Sequence, residues 1–292
     1  CALPISKPYE FKARPWELTK TETVDVMDAT GAAIRVDSRG SEVMRILPRL
    51  NEAVNEEWIS DKTRFIFDGL KTQRLDRPYI RVNGKLQPAS WQEAFAAIAD
   101  KVTATKSARI GALTGQLATV EEMFALKALM ESLGVTNLDA RFPGSPLHPK
   151  YGRAGYVFNS TIAGIEDTDA IIIIGSNPRL ESPVLNARIR KRYVRGDVFI
   201  GVVGEQADLT YPYEYLGAGP DSFAKSVGNA LAGRQKPIFI IGQGAINRAD
   251  GAAVLSMVAE AALKLGVVKD GWNGLNVLDR KSTRLNSSHL VI

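Results

Sequence analysis

Four consecutive isoleucines, Ile171–Ile174, precede the residues whose types and spacing could bind a ligand. These residues are Gly175, Ser176, Asn177 and Arg179, in the sequence G-S-N-P-R. Backbone amides in a glycine turn of this kind can hold a phosphate group. This loop could therefore bind a nucleotide or another phosphorylated molecule.

Two further glycine turns follow other apolar runs, at Gly204 and at residues 242–245. Neither these turns nor the one at Gly175 matches G-x-G-x-x-G or a phosphate-binding P-loop. Glycine is also the residue that any tight turn between a strand and a helix favours. The three turns alone are therefore a weak indication of a nucleotide site.

The elements that must position this loop are a strand and a helix. A short unbroken apolar run is typical of a strand buried on both faces of a parallel sheet. Residues 176–181 are predicted to form a loop, and Ser182 followed by Pro183 predicts an N-cap and the first residue of a helix. In open α/β sheets, ligands bind at the carboxyl ends of the strands, where this loop lies.

The predicted helix carries apolar and basic faces. Leu185, Ile189 and Val194 can face the sheet. The basic side chains are predicted to lie on the outer face and in the last turn, and they are Arg188, Arg190, Lys191, Arg192 and Arg195. Helical spacing spreads these cations over more than one face. A solvated surface or a protein interface is favoured over a track for nucleic-acid phosphates.

Acidic residues cluster near the amino-terminal end, at Asp25, Asp28, Asp37 and Glu42. Carboxylates can bind a hard cation, but the spacing of a calcium loop is absent. Because carboxylates on strand surfaces are usually solvated, we expect these four to be solvated and to bind no metal.

The residues available for catalysis are few. His148 lies in a proline-rich segment, and an isolated histidine in a loop is seldom catalytic. No nucleophile, base and orienting group can be assembled from the sequence. Cys1 is the single cysteine, which excludes an internal disulfide and a multi-cysteine metal site built by this chain alone.

The pattern of the whole chain predicts an α/β protein in which a small antiparallel meander precedes a parallel sheet with alternating helices. Further buried strands are predicted at Arg109–Leu113, Val198–Val203 and Ile238–Ile241. Further helices are predicted at 61–69, from Ser90, at 119–133 and at 250–265. Composition agrees with a chain that buries a sizeable core, since 45% of the 292 residues are hydrophobic and 24% are charged.

The net charge of +5 is spread along the chain and gives no reason to expect a nucleic-acid partner. The apolar runs are too short to span a bilayer, so direct membrane insertion is not expected. Residues 1–5 and 281–292 resemble translated adaptor sequence, and we exclude them from the fold. Because the chain also begins without methionine, we expect it to be an interior piece of a longer protein.

Several segments resemble the large iron–sulfur subunit, or G chain, of respiratory complex I, the proton-pumping NADH:quinone oxidoreductase. The resemblance covers essentially Ser6 to Arg280. The segments that carry it include S-K-P-Y-E-F-K-A-R-P-W-E-L, N-S-T-I-A-G-I-E, G-S-N-P-R-L-E-S-P-V-L-N-A-R-I-R-K and A-D-L-T-Y-P-Y-E-Y-L-G. In that family an amino-terminal ferredoxin-like part carries 2Fe-2S and 4Fe-4S clusters. The remainder resembles molybdopterin oxidoreductases, in which a small domain holds a 4Fe-4S cluster and Rossmann-like domains hold a pterin dinucleotide.

The resemblance also indicates what this chain lacks. The ligand positions of the small-domain cluster fall on Asp25, Asp28, Ala32 and Ser60, none of which is cysteine. Because iron–sulfur clusters are held by cysteine thiolates, no cluster is expected here. No cysteine outside the adaptor-like end can ligate molybdenum either. The loop of Gly175, Ser176, Asn177 and Arg179 is then a vestige of a pterin-binding loop, and the expected cofactor content of this chain is none.

The predicted organisation, in order along the chain, is adaptor-like residues 1–5, a linker at 6–20, a degenerate 4Fe-4S small domain at 21–82, a truncated molybdopterin-oxidoreductase-like α/β domain at 83–280 and adaptor-like residues 281–292. We expect the clusters of the subunit to lie in an upstream part that precedes this chain.

The resemblance implies NADH:quinone oxidoreductase activity for the whole complex and a non-catalytic, structural role for this piece. It implies packing against the cluster-bearing domain through residues 6–19. It also implies other peripheral-arm subunits as partners, contacted through surfaces such as the Arg188–Arg195 helix. It also implies a location on the cytoplasmic side of the bacterial inner membrane or on the matrix side of the mitochondrial one. Two alternatives remain open, an active molybdopterin-dependent oxidoreductase domain and a nucleotide-binding module.

Overall fold

The structure is a computed structural model that describes residues 7–115, 117–140 and 149–278. These residues form two compact units. The first unit comprises the described residues of Cys1–Phe65 and Phe142–Ile292, and the second those of Ile66–Arg141. The predictions made for Cys1, for His148 and for the adaptor-like ends fall outside the described residues, and the predicted domain limits stay a prediction.

The first unit begins with a three-stranded antiparallel sheet in the order β1-β2-β3. Its strands are β1 Thr19–Val24, β2 Ala33–Arg39 and β3 Glu42–Pro48. The predicted meander is thereby confirmed. The first helix, α1 Asp61–Phe65, begins where Ser60 Oγ accepts a hydrogen bond from the Thr63 amide at 3.1 Å. This helix is shorter than predicted because the chain continues as a 3₁₀ turn at Ile66–Leu70.

The described residues of the second unit form two α-helices and two small sheets. In chain order its elements are β4 Tyr79–Val82, β5 Lys85–Pro88, α2 Trp91–Thr103, β6 Ala112–Leu113, α3 Val120–Ser132 and β7 Leu138–Asp139. Both predicted capping boxes are confirmed, since Ser90 and Thr119 each exchange hydrogen bonds with the glutamate three residues later. The strand predicted from Arg109 is wrong in extent, because residues 107–109 form a 3₁₀ turn and only β6 pairs, with β7.

The main sheet of the first unit is parallel and has the strand order β10-β9-β8-β11-β14. The elements of this region, in chain order, are β8 Ala170–Ile174, α4 Pro178–Glu181, α5 Pro183–Val194, β9 Phe199–Val203, β10 Glu214–Gly217, α6 Pro220–Ala230, β11 Pro237–Ile241, α7 Gln243–Ile246, α8 Gly251–Lys264, β12 Val268–Lys269, β13 Trp272–Asn273 and β14 Leu275–Val277. The remaining 3₁₀ turns are Lys7–Tyr9, Pro15–Glu17, Pro149–Gly155 and Ala163–Asp167.

The central strand β8 is buried along its whole length, as its sequence predicts. Its side chains alternate between two cores, so Ile172 packs on one face of the sheet and Ile171 on the other. Helices α6 and α8 cover the first face, and α5 covers the second through Leu185 and Ile189. The predicted fold class, an α/β protein in which an antiparallel region precedes a parallel sheet, is confirmed.

Candidate functional site

A cavity of about 450 Å³ lies at the carboxyl edge of the main sheet. Its walls begin where β8 and β9 end, at Gly175 and Gly204, and they include Gly244 after β11. The three glycine turns of the sequence therefore meet in one cavity, as expected for turns that follow neighbouring parallel strands.

Close approach of two loops explains why glycine occupies these positions. Gly175 has a φ of 56°, which disfavours other residues, and a Cβ built there would lie 2.6 Å from the Cβ of Ala245. A Cβ on Gly242 would lie 2.3 Å from the Cβ of Ser176. The glycines are therefore required by the packing of this edge, whether or not the cavity holds a ligand.

The loop after β8 places two polar side chains in the cavity wall, Ser176 and Asn177. Ser176 Oγ and Asn177 Oδ1 are buried and make no hydrogen bond within the described part of the chain. The prediction of a loop through residue 181 was wrong, because Pro178–Glu181 forms the one-turn helix α4. Arg179 does not line the cavity, and its guanidinium pairs with the Asp208 carboxylate instead.

The charged groups of this cavity are mainly acidic. Glu181 and Glu205 contribute carboxylates, and the Glu181 carboxylate accepts a hydrogen bond of 2.7 Å from the backbone amide of Asn177. Arg248 is the cation among the described lining residues, and it forms two hydrogen bonds with the carboxylate of Asp250. No uncompensated cation therefore faces the cavity from its described walls, which disfavours a strongly anionic ligand.

The four positions to which the sequence assigned lost cluster ligands lie together in the small antiparallel region. Asp25, Asp28, Ala32 and Ser60 are between 1% and 6% exposed. Asp25 Oδ2 accepts a hydrogen bond from Thr63 Oγ1 at 2.7 Å, and Thr63 Oγ1 lies 2.8 Å from Ser60 Oγ. A network of oxygen atoms, held by hydrogen bonds within the chain, fills this position.

The expectation that the meander carboxylates are solvated was wrong for three of them. Asp25, Asp28 and Asp37 are buried, and Glu42 is exposed. Asp37 is tolerated because Arg35 and Arg45 bind it with hydrogen bonds of 2.8 Å, which outweigh the effect of burial and lower the pKa of the carboxyl group. Among the described residues, no group of three or more His, Cys, Asp or Glu side chains comes together.

Asp28 has a different environment from Asp37. Burial raises the pKa of Asp28, and the nearby charge of Asp25 raises it further. The amide of Thr30 donates a hydrogen bond of 2.9 Å to Asp28 Oδ1 and opposes these effects only in part. The buried network therefore favours the neutral form of this carboxyl group more than water does.

Ser182 connects this network to the main sheet. Its hydroxyl oxygen forms a short hydrogen bond with Thr30 Oγ1, and the two residues are both buried. Ser182 is the N-cap residue of α5 and Pro183 is the first helical residue, as predicted, but the Ser182 side chain accepts no capping hydrogen bond. The hydroxyl is used for a contact with a residue far away in the sequence, which a local pattern cannot indicate.

The exposure of two side chains of α5 also differs from the prediction. Arg188 is 6% exposed and lies in a network of ion pairs, not on the outer face. Its guanidinium donates hydrogen bonds to the carbonyl oxygens of Glu52 and Val54, and it pairs with Glu166 at 3.0 Å. Val194, predicted to face the sheet, is instead 72% exposed.

Glu166 is a residue that sequence reasoning missed. Partial burial would raise its pKa, but hydrogen bonds from Lys191, Arg195 and Arg188 outweigh burial and hold the pKa at about 2. Lys191 also binds Glu56. The basic helix thus neutralises acidic groups of its own chain, and the only signal in the sequence was an excess of cations on one short helix.

Among the described residues, no helix combines the length and the apolar character that crossing a membrane requires.

Comparison with protein-family models gives two matches. The model described as molybdopterin oxidoreductase matches residues 74–291. The model described as the 4Fe-4S domain of NADH-ubiquinone oxidoreductase NDSU1/NuoG-like proteins matches residues 18–68. The second match covers the buried network of Asp25 and Ser60.

Curated relatives match nearly the whole chain. The mitochondrial 78 kDa subunit of NADH-ubiquinone oxidoreductase from Neurospora crassa is 45% identical over 97% of this chain. A G-type subunit of NADH-quinone oxidoreductase from Rickettsia bellii is 46% identical over 94% of it, and a mitochondrial iron–sulfur protein 1 of NADH dehydrogenase from Solanum tuberosum is 44% identical over 94%. The chain spans 39%, 41% and 38% of the lengths of these relatives.

Among solved structures, acetylene hydratase from Pelobacter acetylenicus matches with a TM-score of 0.47 and 14% sequence identity. The match covers 65% of this chain and 28% of the other one.

Proposed function

Since the chain belongs to the molybdopterin oxidoreductase family, and is similar to G-type subunits of NADH-quinone oxidoreductase, we propose that it is a structural part of such a subunit without a redox centre of its own. The observation that carries the proposal is the network at the former ligand positions. There the oxygen atoms of Asp25 and Ser60 are bound to Thr63 of the same chain.

An iron–sulfur cluster does not fit these residues. The sequence matched by the 4Fe-4S model contains no cysteine, and cluster ligation requires thiolates. Asp25, Asp28 and Ser60 offer oxygen atoms, and Ala32 offers no ligand atom at all. Buried hydrogen bonds satisfy polar groups that would otherwise destabilise the fold, so this position can be stable without metal. The clusters of the whole protein belong, on this proposal, to an upstream region.

A molybdenum-bound pterin dinucleotide does not fit the cavity at the sheet edge either. A diphosphate needs cations or free amides, whereas Glu181 and Glu205 give the described wall a negative charge. Arg248 is neutralised by Asp250. The cavity therefore supports a retained scaffold, in which the glycine turns persist because the loops pack closely.

Elemental and cofactor analysis tests the proposal. The polypeptide of residues 6–280, purified without oxygen and incubated with iron and sulfide, should contain no stoichiometric iron, molybdenum, tungsten or pterin. A ferredoxin carried through the same steps controls for successful reconstitution. Stoichiometric iron in this polypeptide would place a cluster among ligands other than cysteine, and stoichiometric pterin with molybdenum would identify the cavity as an active cofactor site. Either result refutes the scaffold proposal.

The activity, partners and location follow from the relatives as parts of the same proposal. The complete protein would act in NADH:quinone oxidoreductase, where electrons pass through iron–sulfur clusters to quinone. Its partners would be other subunits of the peripheral arm. The arm would face the cytoplasm in bacteria or the matrix in mitochondria. Co-purification of the full-length protein with NADH dehydrogenase activity tests this assignment, and a stable, separate full-length protein would contradict it.

A nucleotide-binding module remains a second candidate because of one observation. Ser176 Oγ and Asn177 Oδ1 are buried in the cavity wall without partners in the described chain. Such atoms are usually satisfied, so a ligand with hydrogen-bond donors would stabilise them. Isothermal titration with nucleosides and nucleotides tests this candidate, with Asn177→Leu as the variant that should lose binding. The acidic wall predicts that a nucleoside binds better than its diphosphate.

A further inference from the structure

A groove of about 450 Å³ lies between the loop of residues 54–58 and helix α5 in the first unit. We call it the α5 groove. Its apolar lining residues are Val54, Trp58, Val184, Ala187 and Val194, and its charged ones are Glu56, Arg188, Arg190, Lys191 and Arg195. None of these residues lines the cavity at the sheet edge, so the groove is a separate feature.

Two large apolar side chains of the groove face solvent. Trp58 is 57% exposed and Val194 is 72% exposed. Along α5, the spacing of Ala187, Arg190 and Val194 places them on one helical stripe that begins beside this loop. An exposed tryptophan next to apolar residues with arginine at the rim has the composition of the energetically dominant part of a protein interface.

The walls of the groove are fixed by buried hydrogen bonds. Asn55 Nδ2 donates to the carbonyl oxygen of Trp58 at 3.1 Å, and Asn55 Oδ1 accepts from the Ala33 amide at 2.8 Å. Arg188 Nη1 donates to the carbonyl oxygen of Val54 at 3.0 Å and so attaches the loop to α5. A partner that enters this groove would not have to order it, which favours binding.

The charge of the groove indicates the chemistry of its partner. Arg188, Lys191 and Arg195 share the carboxylates of Glu56 and Glu166. Arg190 forms its hydrogen bond with a neutral group, the carbonyl oxygen of Thr210. The described lining thus carries four cationic side chains and one carboxylate, Glu56, and Glu166 supplies a second carboxylate to three of these cations, so positive charge exceeds negative charge around an apolar floor. Complementary charge favours an acidic partner that also carries an apolar side chain.

We propose that the α5 groove binds an acidic segment of another protein subunit, with one large apolar side chain between Trp58 and Val194 and carboxylates near Arg190 and Lys191. The inference rests on the proposed function, since a structural part acts through contacts with other subunits. Nucleic acid is disfavoured because the floor is apolar, and an anionic lipid surface is disfavoured because the apolar residues line a groove.

Site-specific photo-crosslinking in the assembled complex tests the proposal. Val194 in the full-length subunit is replaced by a photoreactive benzoyl-phenylalanine, and the crosslinked peptides are identified by mass spectrometry. We expect crosslinks to one segment of another subunit that contains several Asp or Glu residues. A photoreactive residue at Leu263, which is 61% exposed on α8, is the matched control and should not crosslink to that segment.

Charge substitution provides the second measurement. Val194→Asp should weaken the binding of the subunit that carries the acidic segment about tenfold, which corresponds to a loss of about 1.4 kcal/mol in binding free energy. Leu263→Asp introduces the same charge on an exposed helix face and should leave the binding of that subunit unchanged. Circular dichroism of both variants shows whether the fold is kept.

The outcomes separate this inference from the proposed function. A crosslink to an acidic segment, together with the specific effect of Val194→Asp, supports the groove assignment. Crosslinks only to lipid, to nucleic acid or to the same chain overturn it, and so does a complex that forms equally well with both Asp variants. A full-length protein that joins no complex even without substitution would refute the proposed function itself.

Discussion

Replacing Arg188 with methionine should destabilise the first unit because this side chain connects three parts of it. Methionine keeps much of the apolar stem but removes the guanidinium, which donates to the carbonyl oxygens of Glu52 and Val54 and pairs with Glu166. The loop of residues 52–56 would lose these two hydrogen bonds to α5 and keep the ion pair between Glu56 and Lys191. Glu166 would keep its pairs with Lys191 and Arg195.

The magnitude follows from the burial of the guanidinium. Arg188 is 6% exposed, and removal of one member of a buried ion pair costs about 3–5 kcal/mol. The buried carbonyl oxygen of Val54, left without this donor, adds about 1–3 kcal/mol, while the two remaining cations at Glu166 reduce the electrostatic part. We expect a loss of about 4 kcal/mol in the free energy of unfolding.

Urea denaturation followed by circular dichroism measures this loss, provided that the slope of the unfolding free energy against urea concentration is the same in both variants. Arg195→Met is the matched control. Arg195 binds the same Glu166 but is 49% exposed, so its removal should cost less than about 1 kcal/mol. If Arg188→Met cost no more than Arg195→Met, burial of the guanidinium would not be the source of stability, and the reasoning would be refuted.

Three further predictions concern other parts of the first unit. Because the pKa of Glu166 is lowered from 4.5 to about 2 in the folded chain, its contribution to stability is complete above pH 4.5 and is lost as the pH falls toward 2. Glu166→Gln should remove this part of the pH dependence, measured as unfolding free energy against pH, and an unchanged profile would contradict the assignment. Gly175→Ala should lower the melting temperature more than Gly233→Ala, since both have positive φ but only Gly175 lies against another loop, and equal losses would refute the packing argument. Thr30→Val and Ser182→Ala should each lower the free energy of unfolding by about 1–3 kcal/mol, and the double variant should lower it by less than the sum of the two. Full additivity of the two losses would show that the hydroxyls are not coupled.

The main sheet could be predicted from the sequence because its signals are local. The apolar run of β8 is buried on both sides of the sheet, and Pro183 marks the start of α5 in the structure as in the sequence. The three glycine turns were predicted to follow strands, and parallel pairing brings them to one edge. Periodicity and turn residues are sufficient for elements of this kind.

The buried charges could not be predicted, because their partners are distant in the sequence. Asp25 is buried with the help of Thr63, and Arg188 is buried with the help of Glu166 and of carbonyl groups from the loop at Val54. A pattern of charges along one helix carries no information about such partners. The basic residues of α5 were therefore assigned to the outer face, although the structure uses several of them inside the unit.

The α5 groove was missed for a related reason. The sequence favoured the helix as a solvated surface or an interface, but it gave no indication that Trp58 and Val194 line the same groove. An exposed tryptophan in a loop has no periodicity, and Val194 is the last residue of α5 and is exposed. Only the packing of the loop against α5 places both residues in one groove.

The position of β8 at the centre of the sheet has a consequence for how the chain is synthesised. Ala170 pairs with Phe199 on one side and with Pro237 on the other, so both partners of this strand leave the ribosome after it does. Until then four consecutive isoleucines have no strand to pair with. Parallel pairing of distant segments is slow, and exposed apolar strands aggregate. We therefore expect the yield of soluble protein to depend on chaperones that bind this segment during translation.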